Sequence, residues 1–305
     1  MNADQAVSYP RSSAFICGLN AFAKDIKISH TVFAMPWAIL SAAMAWSRVR
    51  GPLWGKLALI LICMVTARTV AMASNRLLDA DLDQRNPRTS GRAIPSGRVS
   101  KRFVTLALVG CTFAFIAATA FFQILYANSL PIILSIPVLG WIGSYPFLKR
   151  FTQLCHYYLG ASLALAPICS WIAISGGIAW PPVVMAGAVL CWTAGFDIIY
   201  ACQDYQSDLE TGTISVPARI GIVKALWISR ITHAIAFALL VVLGYMTAEF
   251  GGIYFTGVAA VAVLLVVEHS LVKPTDLSKV GVAFFTVNGV ISLLVGTLGI
   301  IDLFV

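Results

Sequence analysis

Long apolar stretches separated by short polar segments constrain this chain more than any other feature. Each is about 20 residues long, the length of a helix that crosses a bilayer, and none alternates as a barrel strand does. Only 11% of the residues are charged, whereas a soluble domain carries about 25%. The sequence therefore predicts an all-α membrane protein, a bundle of about nine transmembrane helices. The predicted spans are 29–47, 53–74, 103–123, 126–145, 157–175, 181–202, 223–246, 252–269 and 280–300.

The chain shows no sign of a second globular domain. No Pro- or Ser-rich linker interrupts the spans, so residues 29–305 are interpreted as one transmembrane domain and residues 1–28 as an amphipathic N-terminal lead-in. The lead-in lacks a basic region followed by an apolar core and a small-residue cleavage site, so no cleaved signal peptide is expected.

The basic residues predict the orientation in the membrane. With the N-terminus in the cytoplasm, 17 of the 21 Lys and Arg residues fall on the cytoplasmic side and three on the other, while Arg68 lies inside the second span. Cytoplasmic loops carry such an excess in multi-pass proteins. The expected location is a bacterial plasma (inner) membrane with the N-terminus cytoplasmic. The basic excess is thus a topology signal, and the expected partner is the lipid bilayer, not a nucleic acid.

A first acidic cluster ends the second span. Asn75, Asp79 and Asp83 are spaced four apart, which places them on one face of a helix. Their oxygen atoms suit a hard cation, Mg²⁺ or Ca²⁺, and Mg²⁺ commonly takes one or two carboxylates and then substrate phosphates. The alternative is a solvated acidic loop at a helix end.

A second acidic cluster ends the sixth span. Asp197, Asp204 and Asp208 lie within about 40° of one another on a helix, with Tyr200 beside them. Seven of the 13 acidic residues fall in these two clusters, and ionisable residues at the edge of a membrane span indicate a functional site. Because four spans separate the clusters, we expect them to face each other on the cytoplasmic side, across a central cavity open to that side.

Basic residues accompany the clusters. The loop 85–97 contains Arg88 and Arg92, which can bind phosphate oxygens through paired hydrogen bonds; the alternative is contact with lipid headgroups. Lys149 and Arg150 end the fourth span, where the alternative is an orientation anchor only.

Arg68 lies inside the second predicted span. It shares a helix face, within about 40°, with Asn75 and Asp79, and an Arg at that depth requires a partner or a wet cavity. The alternative is a structural ion pair with the same aspartates. Glu249, Glu268 and Asp302, near other span ends, are interpreted as solvated.

These motifs resemble those of the UbiA superfamily of intramembrane prenyltransferases. The superfamily's first signature, Asn-Asp-x-x-Asp-x-x-x-Asp, is similar to the run from Asn75 to Asp83, with Arg76 in place of the first Asp. The second signature is similar to the run from Tyr200 to Asp208. Within the superfamily, the chain looks most like the 4-hydroxybenzoate polyprenyltransferases and their menaquinone-pathway relatives.

The resemblance implies Mg²⁺-dependent transfer of a polyprenyl group from polyprenyl diphosphate to an aromatic acceptor, first of all 4-hydroxybenzoate, in ubiquinone-type biosynthesis. The alternative acceptor is a menaquinone precursor or another molecule prenylated by the same chemistry. The implied metal ligands are Asp79, Asp83, Asp204 and Asp208. The implied diphosphate-binding residues are Asn75, Arg88 and Arg92. The implied catalytic residues are Asp197, Arg68, Lys149, Arg150 and Tyr200.

An ion-coupled transporter is the rival from another class. Transporters of that kind place acids near the bilayer midplane, whereas both clusters here lie at span ends beside Arg residues. A purely structural membrane scaffold gives no reason for two acidic clusters. The sequence also contains no phosphate-binding P-loop and no dinucleotide-binding glycine motif.

Overall fold

The computed structural model describes residues 33–305 together with residues 20, 22, 23 and 25. Regular structure in these residues is helical, without a β-sheet. The helices in chain order are α1 (Met35–Val49), α2 (Trp54–Leu78), α3 (Ala80–Arg85), α4 (Lys101–Tyr126), α5 (Leu130–Leu148), α6 (Cys155–Ser175), α7 (Trp180–Ala201), α8 (Tyr205–Thr211), α9 (Val216–Ile220), α10 (Ile222–Met246), α11 (Gly252–Leu271) and α12 (Val280–Phe304).

The prediction of an all-helical membrane bundle is confirmed. Eight helices in the described part of the chain are long and apolar enough to cross a membrane: α2, α4, α5, α6, α7 with its continuation to Thr211, α10, α11 and α12. Nine spans were expected. The first of these, 29–47, overlaps α1, whose 15 described residues fall short of the length of a full span. Residues 29–32 lie outside the described residues.

The predicted boundary between the third and fourth spans is wrong by several residues. Ala127 has a left-handed backbone (φ 53°) that ends α4 at Tyr126, and the next helix begins only at Leu130. The Asn128 side chain turns inward and donates to the carbonyl oxygen of Ile172 at 2.9 Å. This connection is therefore tied to the end of α6.

The most deeply buried helix is α7, which packs against α6 on one side and α10 on the other. Gly160 of α6 permits this contact, because a Cβ atom there would lie 2.3 Å from the carbonyl oxygen of Leu190 in α7. Gly195 of α7 does the same for the ring of His233 in α10. Small residues at such positions let membrane helices approach closely.

A buried polar network joins α7, α10, α11 and α12. Asn288 donates to Glu268 Oε1 at 2.7 Å and accepts from Trp192 Nε1 at 2.6 Å. Glu268 is completely buried, so the interpretation of this residue as a solvated acid is wrong. The hydrogen bond from Asn288 satisfies one oxygen of this buried carboxyl group. The other, Oε2, has no hydrogen-bond partner among the described residues and lies 3.7 Å from Nδ1 of His233 in α10.

Both cluster-bearing helices are interrupted within their acidic clusters, after Leu78 in the first and after Ala201 in the second. Helix α2 ends at Leu78 and α3 follows Asp79, while α7 is followed by a 3₁₀ turn, Cys202–Asp204, and then α8. The backbone of Asp83 still donates to the carbonyl oxygen of Asp79 at 2.7 Å. The expected spacing of one turn is therefore kept across the interruption, although the helix is not continuous.

Candidate active site

Two adjoining cavities lie beside these interruptions. A polar cavity of about 190 Å³ is lined by the second cluster, by Asp83 and by the loop after α3. An apolar cavity of about 220 Å³ runs between α2, α4, α5 and α6. Asn75 and Tyr145 line both, so the two cavities meet at these side chains. The polar cavity thus lies between Asp83 of the first cluster and the aspartates of the second, whereas Asp79 is completely buried and lines neither cavity.

The first cluster is buried and incompletely paired. The Asp79 carboxylate accepts a hydrogen bond from Lys149 Nζ, and Asp83 accepts one from Arg92 Nη1 at 2.6 Å. Among the described residues, no hydrogen-bond partner reaches Asp79 Oδ1 or Asp83 Oδ2. Burial raises the pKa of Asp79 despite the opposing charge of Lys149. A buried carboxylate oxygen without a partner is costly, and a bound cation would remove that cost.

The second cluster is closed by a residue from the first cluster's loop. Arg88 donates to both oxygens of Asp204, at 2.7 and 2.5 Å, and to the hydroxyl of Tyr200 at 2.9 Å. The side chain of Asn86 adds a bond of 3.1 Å to Asp204 Oδ1. Burial lowers the pKa of Arg88, but the hydrogen bond and charge of Asp204 outweigh it and raise that pKa. The loop therefore links the clusters directly.

Asp208 and Asp197 are held by a hydroxyl group and an imidazole ring instead of a guanidinium. The Ser215 hydroxyl donates to Asp208 Oδ2 at 2.7 Å, and His156 Nδ1 lies 2.7 Å from Asp197 Oδ2. The sequence reasoning missed both His156 and Asn86. A lone His at the start of an apolar span and an Asn in a loop carry no signal in the chain's local pattern, because their importance depends on partners distant in sequence.

The remaining basic residues take three different positions. Arg68 lines the apolar cavity below the junction, and the described ion-pair partner of Asp79 is Lys149, not Arg68. Lys149 itself lines the polar cavity. Arg150 donates to the carbonyl oxygen of Leu78 at 2.7 Å and does not line either cavity. Its role in binding an acceptor stays a prediction that this position does not support.

Arg76, the departure from the signature, turns away from the polar cavity. Its guanidinium donates to Asp25 Oδ2 at 2.8 Å and to Asn75 Oδ1 at 3.1 Å. Phe22, three residues before Asp25 in the chain, packs edge to face on Phe103 of α4. Arg76 thus fastens these described residues of the lead-in to α2, and it engages the amide oxygen of Asn75.

The donor set fits a divalent cation whose coordination is completed by a substrate. In the described part of the chain, no three His, Cys, Asp or Glu side chains form a metal site by themselves. Mg²⁺ usually takes only one or two carboxylates and fills its other positions with waters and phosphate oxygens. The free oxygens of Asp79 and Asp83, with Asp204 and Asp208 across the cavity, match that requirement.

Fold and site together define a class: a multi-pass helical membrane protein with a polar, acid-rich cavity opening onto an apolar one. Residues 34–290 match the model of the UbiA prenyltransferase family, and the chain belongs to that family. It is therefore a membrane-embedded prenyltransferase.

Curated relatives agree with this assignment. The chain is 29% identical over 255 residues to a 4-hydroxybenzoate octaprenyltransferase of Marinobacter nauticus, covering 83% of this chain and 82% of the relative. It is 30% identical over 238 residues to a protein of the same name from Paraburkholderia phytofirmans, covering 78% and 80%.

Solved structures share the fold. A UbiA homolog from Aeropyrum pernix K1, in its apo form, superposes with a TM-score of 0.80 at 29% identity, covering 90% of this chain and 98% of that one. A UbiA homolog from Archaeoglobus fulgidus bound to GPP and Mg²⁺ superposes with a TM-score of 0.69 at 18% identity, covering 93% and 100%.

Proposed function

We propose that this enzyme transfers a polyprenyl group from a polyprenyl diphosphate to 4-hydroxybenzoate, with Mg²⁺ bound between the two clusters. The observation that carries the proposal is the junction of the two cavities at Asn75 and Tyr145. A polyprenyl diphosphate has a charged head and a long apolar tail, and the two cavities match these parts. The names of the curated relatives support the choice of acceptor.

The diphosphate head would exchange partners with the aspartates. Lys149, Arg92 and Arg88 now pair with Asp79, Asp83 and Asp204 respectively. Phosphate oxygens accept the same hydrogen bonds, and Arg binds them bidentately. When Arg92 and Arg88 turn to the diphosphate and Lys149 turns to the acceptor, the carboxylates they leave become available to hold Mg²⁺.

Bound Mg²⁺ would supply Lewis-acid stabilisation of the charge that develops on the departing diphosphate. The residues that would hold it are Asp79 and Asp83 on one side and Asp204 and Asp208 on the other. Asn75 has its amide oxygen engaged by Arg76, so its NH₂ group is the part left to donate to a diphosphate oxygen.

The apolar cavity would hold the tail and keep water away from the reacting carbon. Cleavage of the C–O bond leaves an allylic cation, which water would otherwise consume, and excluding water also strengthens the electrostatic contacts in the site. Arg68 lies along this cavity. Its guanidinium would offset negative charge near the point where head and tail join.

The acceptor would lie in the polar cavity between Asp197, Tyr200 and Lys149. Lys149 is the candidate for its carboxylate, and Asp197 for its hydroxyl group. A menaquinone precursor or another aromatic acceptor would use the same groups, so the acceptor must be tested directly.

The decisive experiment is an acceptor and donor screen on the purified enzyme in lipid. Prenyl diphosphates of several lengths should be combined with 4-hydroxybenzoate, a menaquinone precursor and benzoate, which lacks the hydroxyl group. The expected result is Mg²⁺-dependent product with 4-hydroxybenzoate and none with benzoate. Product with the menaquinone precursor alone would replace the proposed acceptor, and no transfer to any aromatic would reject the function.

The active-site loop is proposed to face the cytoplasm. Ser90 is exposed on this loop and provides a labelling position. In an otherwise cysteine-free chain, Ser90→Cys should react with a membrane-impermeant thiol reagent only after the cells are opened. Labelling of intact cells would reverse the proposed orientation.

A further inference from the structure

His156 links Asp197 of the second cluster to the backbone of Val216. It lies in the first turn of α6, lines the polar cavity and is 4% exposed. One ring nitrogen faces Asp197 and the other faces the backbone of Val216. We propose that His156 is a positioning residue that holds Asp197 as an ionised acceptor for the hydroxyl proton of the aromatic substrate. This inference rests on the proposed function.

The backbone of Val216 decides the tautomer of His156. Its N–H group lies 3.2 Å from Nε2, and a backbone N–H can only donate. Nε2 must therefore carry the lone pair, because the Nε2–H group of an imidazolium would point at the N–H group of Val216. The ring proton lies on Nδ1, where it is donated to Asp197 Oδ2 at 2.7 Å. His156 is thus a neutral donor, and Asp197 is the acceptor.

A neutral donor leaves Asp197 its negative charge. The cations that line the cavity pair with other aspartates: Lys149 with Asp79, Arg92 with Asp83 and Arg88 with Asp204. The side chain of Asp197 is 14% exposed, and in the described residues no hydrogen bond reaches its Oδ1. One oxygen is therefore held by His156 while the other is open to the cavity, where an acceptor hydroxyl group can donate to it.

The proton steps balance with this arrangement. As the prenyl C–O bond breaks and the new C–C bond forms on the ring, the phenol O–H proton moves to Asp197 Oδ1 and a neutral dienone results. A diphosphate oxygen then takes the proton from the substituted ring carbon. Asp197 returns its proton to the ring oxygen, and the products are the prenylated phenol and protonated diphosphate. Asp197 ends as a carboxylate, again held by His156.

The same short segment supports both sides of the reaction. Val216 fixes His156, while the neighbouring Ser215 donates to Asp208 and caps α9 by accepting from the Ala218 N–H group at 3.3 Å. The carboxylate assigned to the acceptor and one assigned to the metal are therefore positioned from adjacent residues.

Two variants of His156 separate positioning from packing. In His156→Gln the side-chain amide can accept from the Val216 N–H group and donate to Asp197, whereas His156→Leu keeps the bulk and loses both bonds. A charge-assisted hydrogen bond of this kind corresponds to about 10- to 100-fold in rate. His156→Leu should lower kcat for prenyl transfer by about that factor, and His156→Gln should recover most of it. Binding of the prenyl diphosphate alone should change less than about threefold, because its head contacts other residues.

A background without the proton acceptor tests whether His156 acts through Asp197. In Asp197→Asn, adding His156→Leu should lower kcat by less than about twofold, because coupled residues are not additive. An equal loss in both backgrounds, or failure of His156→Gln to recover activity, would overturn the proposal.

A spectroscopic measurement makes the test independent of turnover. In protein labelled with ¹⁵N-histidine, the signal that disappears in His156→Gln should have the shifts of a neutral Nδ1–H tautomer at pH 7. An Nε2–H tautomer or an imidazolium would overturn the role of His156 and leave the proposed function intact. A correct tautomer in an enzyme that prenylates no hydroxylated aromatic would instead overturn the proposed function, and with it the catalytic use of this pair.

Discussion

The two acidic clusters end equivalent helices, yet their carboxylates are held differently. In the first, Asp79 and Asp83 are almost completely buried, and each keeps one oxygen without a partner among the described residues. In the second, both oxygens of Asp204 are taken by Arg88, and its side chain is 17% exposed. Asp79 and Asp83 each keep one free oxygen beside the cation they pair with, whereas Asp204 has no free oxygen until Arg88 leaves. The comparison teaches that one pattern of residues can provide a half-open half-site and a closed half-site facing it.

Removal of divalent metal should have the largest effect, because both half-sites need a cation to hold a diphosphate. Exhaustive EDTA treatment should lower prenyl transfer at least about 1000-fold, as expected when a metal supplies several kcal/mol of charge stabilisation. Added Mg²⁺ should restore it. Full activity after chelation, measured by product formation, would show that neither cluster holds a catalytic metal ion.

Isosteric substitution in each cluster tests the two half-sites against each other. Asp79→Asn and Asp204→Asn should each lower kcat about 100-fold or more while the protein remains folded in the membrane, because each removes a charge needed in the transition state. Asp81→Asn is the matched control. The Asp81 side chain is 87% exposed, and its contact with Lys101 Nζ, at 3.7 Å, is a surface ion pair that contributes little. Near-normal turnover in either test variant would make that cluster structural.

Arg68 offers a further contrast, because α2 carries this residue within its span and α7 carries no Lys or Arg. Arg68→Ala should lower kcat about 10- to 150-fold, the value of one charge-assisted contact made in the transition state. Arg68→Lys should recover part of the loss, because a point charge does not replace the planar fork.

The competing role of Arg68 is structural, and melting temperature distinguishes the two. A catalytic Arg68 predicts that turnover falls much more than stability. If Arg68→Ala lowers both together and Arg68→Lys restores both, the residue only supports α2. Arg102→Ala, at the exposed start of α4, is the control for removing a charge.

The smallest effect on turnover is expected at Arg76, which pairs with Asp25 of the lead-in and lines neither cavity. Breaking a buried ion pair costs about 3–5 kcal/mol, so Arg76→Ala and Asp25→Ala should each lower the melting temperature by several degrees. The double variant should lose less than the sum of the two single losses, because each single variant already breaks the same ion pair. Additive losses would mean that Arg76 and Asp25 act separately.

Much of the fold and part of the site could be predicted from local pattern. The spans follow from apolar runs, and their register places both clusters at one end of the bundle. The interruptions after Leu78 and Ala201 could not be predicted, because helical hydrogen bonding nearly continues through the first of them. Arg68 and Asn75, which the helical period predicts on one face of α2, line the same cavity. Arg150 was grouped with Lys149, although the two neighbours contact different groups.

The sequence by itself determined the membrane class, the approximate spans and the spacing of the aspartates, because these depend on hydrophobicity and on the 3.6-residue period of a helix. Only the tertiary structure decided which charge meets which partner. Arg88 reaches Asp204 across 116 residues, His156 reaches Asp197 across 41, and Glu268 is buried against Asn288. The physical reason is that ion pairs and buried hydrogen bonds act over a few ångströms between atoms brought together by packing, and no local pattern records those distances.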